Sequence, residues 1–457
     1  MGLSGLGRLI SFIPHPVTTG FTSGIAVTIA TLQLKDLLGL KFVTHPIGFL
    51  ETIIEVFHRL GSLQASECMM AAGTLLIILI LIKTLKRTPA PIIAISLAGL
   101  TAFVLRQLNE PVFVETIADR FQFVLNGELI RGIPQSFPPL QWPWQFALDG
   151  GLPFKLSLAS IRELSPSILA ISLLGAIESL LSAVVADGMT GKRHDPNSEL
   201  LALGIGNMIC PFFGGIPATG AIARTTTNIR FGGGSPIAAM VHAIACLLAI
   251  LLAAPLVSWI PMAALAALLL FVANSMSERK NFINILRYAD WEDKAVMLAC
   301  FVFTVLVDMT VGVSLGVVLA CILFIKRISS QTEISVITAD SPENHLPDEF
   351  KSSRYFVYRI SGSLFFGAAQ QATESILNIT NDVRVVILEM EQVGFLDSTG
   401  AVALRSALSR LKARGMQVAI KLGPKQKSQF KNRLKEVLHD NPNVIVATSW
   451  EEIRNQV

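Results

Sequence analysis

Charge is what this sequence has little of. Only 15% of its 457 residues are Asp, Glu, Lys or Arg, where a soluble chain of that length carries about 25%. With 52% of its residues hydrophobic, most of the chain faces something other than water. The formal net charge of +4 is small, and the Lys and Arg residues cluster between apolar runs. That pattern belongs to membrane topology and not to nucleic-acid binding. Metal-ligand spacings are missing as well. Cys68, Cys210, Cys246, Cys300 and Cys321 are scattered, with no CxxC or His–Cys spacing. They read as small apolar residues, and no metal centre is expected. The N-terminal MGLSGLGRLISFIPHP has a single Arg and two prolines, a poor match to a signal peptide. No constellation of nucleophile and base appears, so neither an enzyme nor a cofactor is expected.

Long apolar runs are what the sequence has instead. A spanning helix needs about 20 mostly apolar residues. The candidates are Val17–Leu34, Met69–Ile82, Ile92–Leu108, Ser165–Ala186, Leu200–Phe213, Pro236–Ile260, Met262–Val272, Lys294–Met309 and Val311–Ile325. A further element, Gly214–Arg230, sits between two of them but is too polar and Gly-rich for an ordinary span. Basic clusters follow four of the runs: Lys83, Lys86 and Arg87; Lys192, Arg193 and His194; Arg279, Lys280 and Arg287; Lys326 and Arg327. With about ten membrane elements these clusters share one side, which the positive-inside rule makes the cytoplasm. Both termini are then cytoplasmic, and the Asn109–Glu163 connection, with its IPQSFPPLQWPW stretch, lies outside.

The expected division is a transmembrane domain over residues 1–330, a linker over 331–354 and a cytoplasmic domain over 355–457. In the last, YFVYRI, RVVILEM, MQVAIKL and NVIVA are β-branched, strand-length runs. Ala368–Ile379, Thr399–Arg414 and Lys425–His439 have helical spacing between them. The pattern predicts a small α/β domain. There is one faint internal echo: HPVTTGF and IPMAALA each put a Pro at a helix start. Inverted repeats leave traces of that kind.

The segment GGIPATGAIARTTTNIRFGGG (Gly214–Gly234) carries the most chemistry. Gly214, Gly215 and Pro217 forbid a regular helix at its start, and a helix is expected from near Thr219 to about Arg230. Such a helix begins partway through the bilayer. Its free N–H groups at Thr219, Gly220 and Ala221, with Arg224 a turn further on, suit a dehydrated anion. The bland reading is a Gly-rich loop outside the membrane with Arg224 in solvent. In LLGAIESLLSAVVADG (Leu173–Gly188), Glu178 sits within an apolar span, where a carboxylate is expensive and functional by default. Ser182 shares its helix face; the two oxygens could bind Na⁺, or Glu178 could carry a proton. The bland reading is a Glu178–Arg224 ion pair. Asp187 and Asp308 read as capping or interfacial, and His242 as a core histidine bonded to a neighbour. In FLDSTG (Phe395–Gly400), Asp397 or Ser398 suits a helix N-cap, and the loop exposes Ser398 and Thr399 where a phosphate would be welcome.

Taken together, SFIPHPVTTGFTSGIAVTIATLQLKDLLGL, LLGAIESLLSAVVADGMTG, NSELLALGIGNMICPFFGGIPATGAIARTTTNIR and FLDSTG resemble the SulP (sulfate permease) family, nearest to bacterial members of the sulfate and dicarboxylate type. The resemblance implies an α-helical polytopic membrane protein of fourteen elements in two inverted repeats of seven, followed by a small α/β STAS domain. It makes Gly214–Arg230 the second of two half-helices that meet at the substrate, Arg224 the source of positive potential, and Glu178 and Ser182 cation- or proton-linked. The family often has Ser where this chain has Ala223, so no hydroxyl is expected there. The first span resembles the family's fifth. On that resemblance four helices and half of the site are missing, and the chain by itself is expected to transport poorly or not at all. In relatives of the STAS fold a hydroxyl of the matching loop is phosphorylated; Thr399 is the closer match, with Ser398 beside it.

The expected function is secondary active transport of a small oxyanion, sulfate before C4-dicarboxylate or bicarbonate, coupled to a proton or sodium. The expected location is a bacterial inner membrane. A homodimer and a cytoplasmic protein partner of the STAS domain are open partners; nucleic acid is not. The rivals are a passive anion channel and a non-transporting membrane anchor whose STAS domain recruits a partner.

Overall fold

The computed structural model describes the chain except for residues 6, 8–13, 44–45, 47, 85–88, 109–113, 126–127, 146–156, 331, 338–345, 353 and 366–382. The expected helix Ala368–Ile379, with Lys86 and Arg87 of the first basic cluster, lies outside the described residues. The chain divides into two compact units, Met1–Ala320 and Cys321–Val457.

The first unit is helical. Its elements are α1 (His15–Leu32), α2 (Leu34–Leu37), α3 (Phe49–Arg59), α4 (Ala65–Thr84), α5 (Ala90–Gln107) and α6 (Ile117–Arg120). There follow a small antiparallel pair, β1 (Gln122–Leu125) and β2 (Glu128–Arg131), then α7 (Leu158–Thr190) and α8 (Pro196–Ile209). The unit continues with α9 (Ile222–Arg230), α10 (Ile237–Val257), α11 (Met262–Met276), α12 (Arg279–Tyr288), α13 (Trp291–Leu306) and α14 (Met309–Ser330), the last crossing the division between units. Each expected span falls on one of these helices. Among the described residues, six runs are long and apolar enough to cross a membrane: Ala65–Thr84, Ala90–Gln107, Leu158–Thr190, Ile237–Val257, Met262–Tyr288 and Met309–Ser330. Along α10, Ile237, Leu252 and Leu256 are 65%, 73% and 74% exposed. Apolar surface turned outward on this scale is stable only where the solvent is lipid.

Lipid supplies no hydrophobic drive between helices, so close packing depends on small residues. Gly20 and Gly24 let α1 lie against α13 at Met297, Cys300 and Thr304, and Gly316 of α14 lies on Cys300. Ala263 and Ala267 of α11 bury against Ala71 of α4. A turn joins several helix ends. Glu115 donates its N–H to Glu67 Oε1 (2.6 Å), Arg120 forms a two-pronged pair with Asp36 (2.8 and 2.9 Å), and Met262 N donates to Glu115 O (2.9 Å). Two short helices, α3 and α12, fall outside the expected spans because neither is apolar enough to register as one.

The second unit holds a five-stranded sheet in the order β3 (Glu333–Ile337), β4 (Tyr355–Leu364), β5 (Val385–Leu396), β6 (Gln417–Lys421), β7 (Ile445–Ala447). β3 is antiparallel to β4 and the other pairs are parallel. The stretch read as a linker, 331–354, thus carries an edge strand, with Ser335 paired to Arg359. Parallel strands bury both faces. Val386, Leu388 and Ile420 pack with Leu404, Leu408 and Leu411 of α15 (Ser398–Ala413). Val357, Ile387 and Ala419 pack with Phe350 and Ile453 on the other face. The expected helix Lys425–His439 is two, α16 (Pro424–Gln429) and α17 (Lys431–Leu438), divided at Phe430, which is buried in the core. A short helix, α18 (Trp450–Arg454), ends the chain.

Candidate functional site

α7 positions one wall. It runs for 33 residues from an N-cap at Ser157, and Ala176, Ile177, Ser179, Leu180 and Ser182 are buried along its middle. Opposite it, the 3₁₀ turn Cys210–Phe213 after α8 ends on Gly214 in the left-handed region (φ 69°). The chain then returns in extended form to Ala221, the N-cap of α9.

Hydrogen bonds hold that extended stretch. Asn207 of α8 acts as a strand partner for one peptide: its Nδ2 donates to Ala218 O (2.8 Å) and its Oδ1 accepts from Ala218 N (2.7 Å). Thr219 Oγ1 donates to Gly175 O at 2.8 Å, and Gly220 N donates to Ser179 Oγ at 3.3 Å. Ser182 Oγ donates to Thr225 Oγ1 at 2.8 Å. Gly175, Ser179 and Ser182 are spaced i, i+4, i+7 and share one face of α7. These bonds correct one expectation. The helix begins at Ile222 and not near Thr219, because residues 218–220 give their polar groups to α7 and α8.

The first turn of α9 therefore opens beside the middle of α7. Arg224 is its third residue, exposed, and among the described residues it forms no ion pair. The Glu178–Arg224 ion pair of the bland reading is absent among the described residues. Glu178 is half-buried and lines a cleft of about 640 Å³ with Gly175, Asn207, Pro217, Ala218 and Thr219. Ser182 is turned to Thr225. Of Ala221 only the backbone role as N-cap matters, and the side chain of Ala223 lies outside the described residues.

The arrangement sets a helix N-terminus, worth roughly half a positive charge, and the exposed guanidinium of Arg224 against one face of α7, while the Glu178 carboxylate of the same helix lines the neighbouring cleft with α8 and residues 217–219. It can hold an anion through N–H groups and a proton or cation through Glu178. Sequence reasoning missed Asn207 and Ser179. Asn207 had a signal, as an amide inside an apolar run in a medium where such groups find partners. Ser179, next to Glu178, had none of its own.

Elsewhere, Asp187 Oδ2 pairs with His194 Nδ1 (2.8 Å), Asp308 accepts from Thr310 N (2.7 Å), and His242 Nε2 lies 3.7 Å from Cys246 Sγ. In the second unit Asp397 is the N-cap of α15, accepting from Gly400 N at 2.6 Å. Ser398 and Thr399 are exposed in its first turn.

A helical bundle with apolar outer surface and a broken polar element packed against α7, followed by a mixed α/β domain, defines an integral membrane protein with the architecture of a transporter. Residues 1–300 match the Sulfate permease family and residues 348–435 the STAS domain, and the chain belongs to the sulfate permease family. It is 36% identical over 430 residues to "Putative sulfate transporter YvdB" of Bacillus subtilis (strain 168), covering 93% of this chain and 76% of that one. It is 27% identical to "Bicarbonate transporter BicA" of Picosynechococcus sp., covering 99% of this chain and 76% of that one. Among solved structures, the murine Slc26a9 anion transporter in the inward-facing state superposes with a TM-score of 0.76 at 16% identity, over 97% of this chain and 70% of the other. The transmembrane domain of a cyanobacterial BicA does so with a TM-score of 0.54 at 25% identity, over 70% and 72%.

Proposed function

We propose that this protein is a secondary active carrier of a small oxyanion, with sulfate as the first substrate to test and bicarbonate and C4-dicarboxylates after it. The observation that carries the reading is the helix start at Ala221–Arg224 held against the middle of α7 by Thr219, Gly220 and Thr225. The anion sits at that start, near the backbone of Thr219, Gly220 and Ala221, and Arg224 supplies positive potential. Glu178, in the neighbouring cleft beside Asn207 and Thr219, carries the coupling proton or sodium, with Ser182 keeping α9 in place. The relatives' names, sulfate and bicarbonate transporter, support an oxyanion. The basic clusters support cytoplasmic termini in a bacterial inner membrane, with a STAS domain available to a cytoplasmic partner and to phosphorylation at Thr399 or Ser398.

Uptake of labelled sulfate into native membrane vesicles, with and without an imposed proton or sodium gradient, tests this. Arg224→Ala is expected to cut uptake more than about tenfold, equivalent to about 1.4 kcal/mol. Glu178→Gln is expected to abolish the response to the gradient. Uptake that ignores both gradients in the unaltered protein would point to a passive anion channel. No protein-dependent uptake in the unaltered protein would leave the membrane-anchor reading, and uptake untouched by either substitution would remove Arg224 and Glu178 from the site.

A further inference from the structure

α12 begins after a break in the chain at Glu278, whose backbone is left-handed (φ 40°). Side chains from α1 hold the break. Thr19 Oγ1 donates to Glu278 Oε2 at 3.2 Å, Asn281 Nδ2 donates to the same oxygen at 3.3 Å, and Ser23 Oγ donates to Ser277 O at 2.7 Å. α12 is ten residues long, about 15 Å at the helical rise. That is half the hydrocarbon thickness of about 30 Å, so it does not span by itself and forms the polar end of the Met262–Tyr288 run. Phe282 fixes it to α13 through Phe301, with ring centroids 5.3 Å apart.

Three of the exposed residues of α12 are cationic. Arg279, Lys280 and Arg287 are exposed, and among the described residues none of them forms an ion pair. At about 100° per residue, Lys280 and Arg287 project within about 20° of each other, with Arg279 on their flank and Phe282 turned away. The nearby acids Asp290, Glu292 and Asp293 belong to the N-terminal turn of α13, where the helix dipole favours negative charge. Two amphipathic rings border the surface, Tyr288 at 81% and Trp291 at 57% exposure. Such rings settle at headgroup depth.

We propose that this face of α12 binds the headgroups of anionic phospholipids in the leaflet it lies against. Unpaired guanidinium and ammonium groups at headgroup depth meet phosphate directly, and Arg accepts it in two-pronged fashion. A zwitterionic lipid offers the same phosphate but cancels it with its own ammonium, so the preference falls on lipids with net negative charge. Each basic residue near an anionic surface adds to the attraction, and three of them enrich such a lipid locally by more than about tenfold. The proposal depends on membrane insertion alone and not on what the protein carries.

Trp291 reports on this surface. The purified full chain is reconstituted into phosphatidylcholine vesicles in which the minor lipid is either brominated phosphatidylglycerol or brominated phosphatidylcholine. The Trp291 contribution is the fluorescence difference between the unaltered protein and Trp291→Phe. Brominated phosphatidylglycerol is expected to quench that contribution more strongly, and about 0.5 M salt to weaken the excess. Arg279→Gln, Lys280→Gln and Arg287→Gln together are expected to remove it; all three side chains are exposed, so the fold is kept. Equal quenching by the two lipids, an excess that survives the triple substitution, or a Trp291 that neither lipid quenches would each overturn the proposal.

Discussion

Gly220 donates its N–H to Ser179 Oγ, and a Cβ at Gly220 would lie 3.0 Å from that oxygen and 3.2 Å from the Cα of Ser179. The contact sets how closely the start of α9 approaches α7. Gly220→Val is expected to push the helix start away from α7 and reduce sulfate uptake by more than about tenfold, or roughly 1.4 kcal/mol of lost stabilisation. Ser179→Ala loses one hydrogen bond, worth about 1 kcal/mol, and is expected to cost about fivefold. Immunoblots of native membranes normalise both for protein level. Equal uptake in Gly220→Val and the unaltered protein would remove the approach of α9 from the mechanism.

Asn207 gives a second test of the same geometry by a different bond. Its amide satisfies both the N–H and the C=O of Ala218. Asn207→Leu keeps the size and leaves two backbone groups without partners. Each unsatisfied group costs about 1–3 kcal/mol in an apolar setting. The expected outcome is a lower unfolding temperature in detergent together with reduced uptake. Asn207→Asp keeps the acceptor for Ala218 N and loses the donor, so it is expected to fall between. A Leu variant as stable as the original would show that water or another group takes over the bonds.

The apolar runs that mark the spans could be read directly, because lipid leaves no alternative to a helix with its backbone satisfied internally. The break at Gly214–Pro217 could be read for the same reason. The point where α9 begins could not. That point depends on bonds to Gly175 and Ser179, more than forty residues earlier, and on Asn207. Propensity alone starts the helix three residues too soon. α3 and α12 were hidden by their mixed polarity, which matches neither a full span nor a loop. Strand β3 was passed over because EISVI is followed by a polar stretch, and only its pairing with β4 reveals it as part of the sheet.

The turn that joins helix ends near Asp36, Glu67 and Met262 carries a pH dependence. Partial burial pushes the Asp119 carboxyl up, but the Arg106 guanidinium (2.8 Å) and the hydroxyl and N–H of Thr116 outweigh it and hold Asp119 below the ordinary aspartate value. A carboxylate lowered on folding adds stability that is present above its unfolded value and lost as pH falls through the folded one. Thermal unfolding of the detergent-solubilised protein is expected to worsen below about pH 4. Asp119→Asn is expected to lack that share of the loss, so the difference between the two curves narrows as pH falls. Parallel curves from pH 3 to pH 7 would assign the acid sensitivity to other carboxylates.

In the STAS domain the helix cap and the candidate phosphate acceptors are different residues. Asp397 accepts from Gly400 N at 2.6 Å and closes the first turn of α15, while Ser398 and Thr399 stand exposed beside it. Removing a capping side chain costs about 1 kcal/mol, so Asp397→Ala is expected to speed amide hydrogen exchange in the first turn of α15 in the full chain. Thr399→Ala touches no bond of the cap and is expected to leave that exchange within about 0.5 kcal/mol of the original, as exposed substitutions do. If Thr399 or Ser398 accepts phosphate, the added charge lies at a helix N-terminus, where the dipole stabilises it. Exchange in that turn is then expected to slow in protein isolated with its phosphate and to return after phosphatase treatment. Faster exchange in the phosphorylated form would mean that Asp397, one or two residues away, repels the new charge more strongly than the helix attracts it.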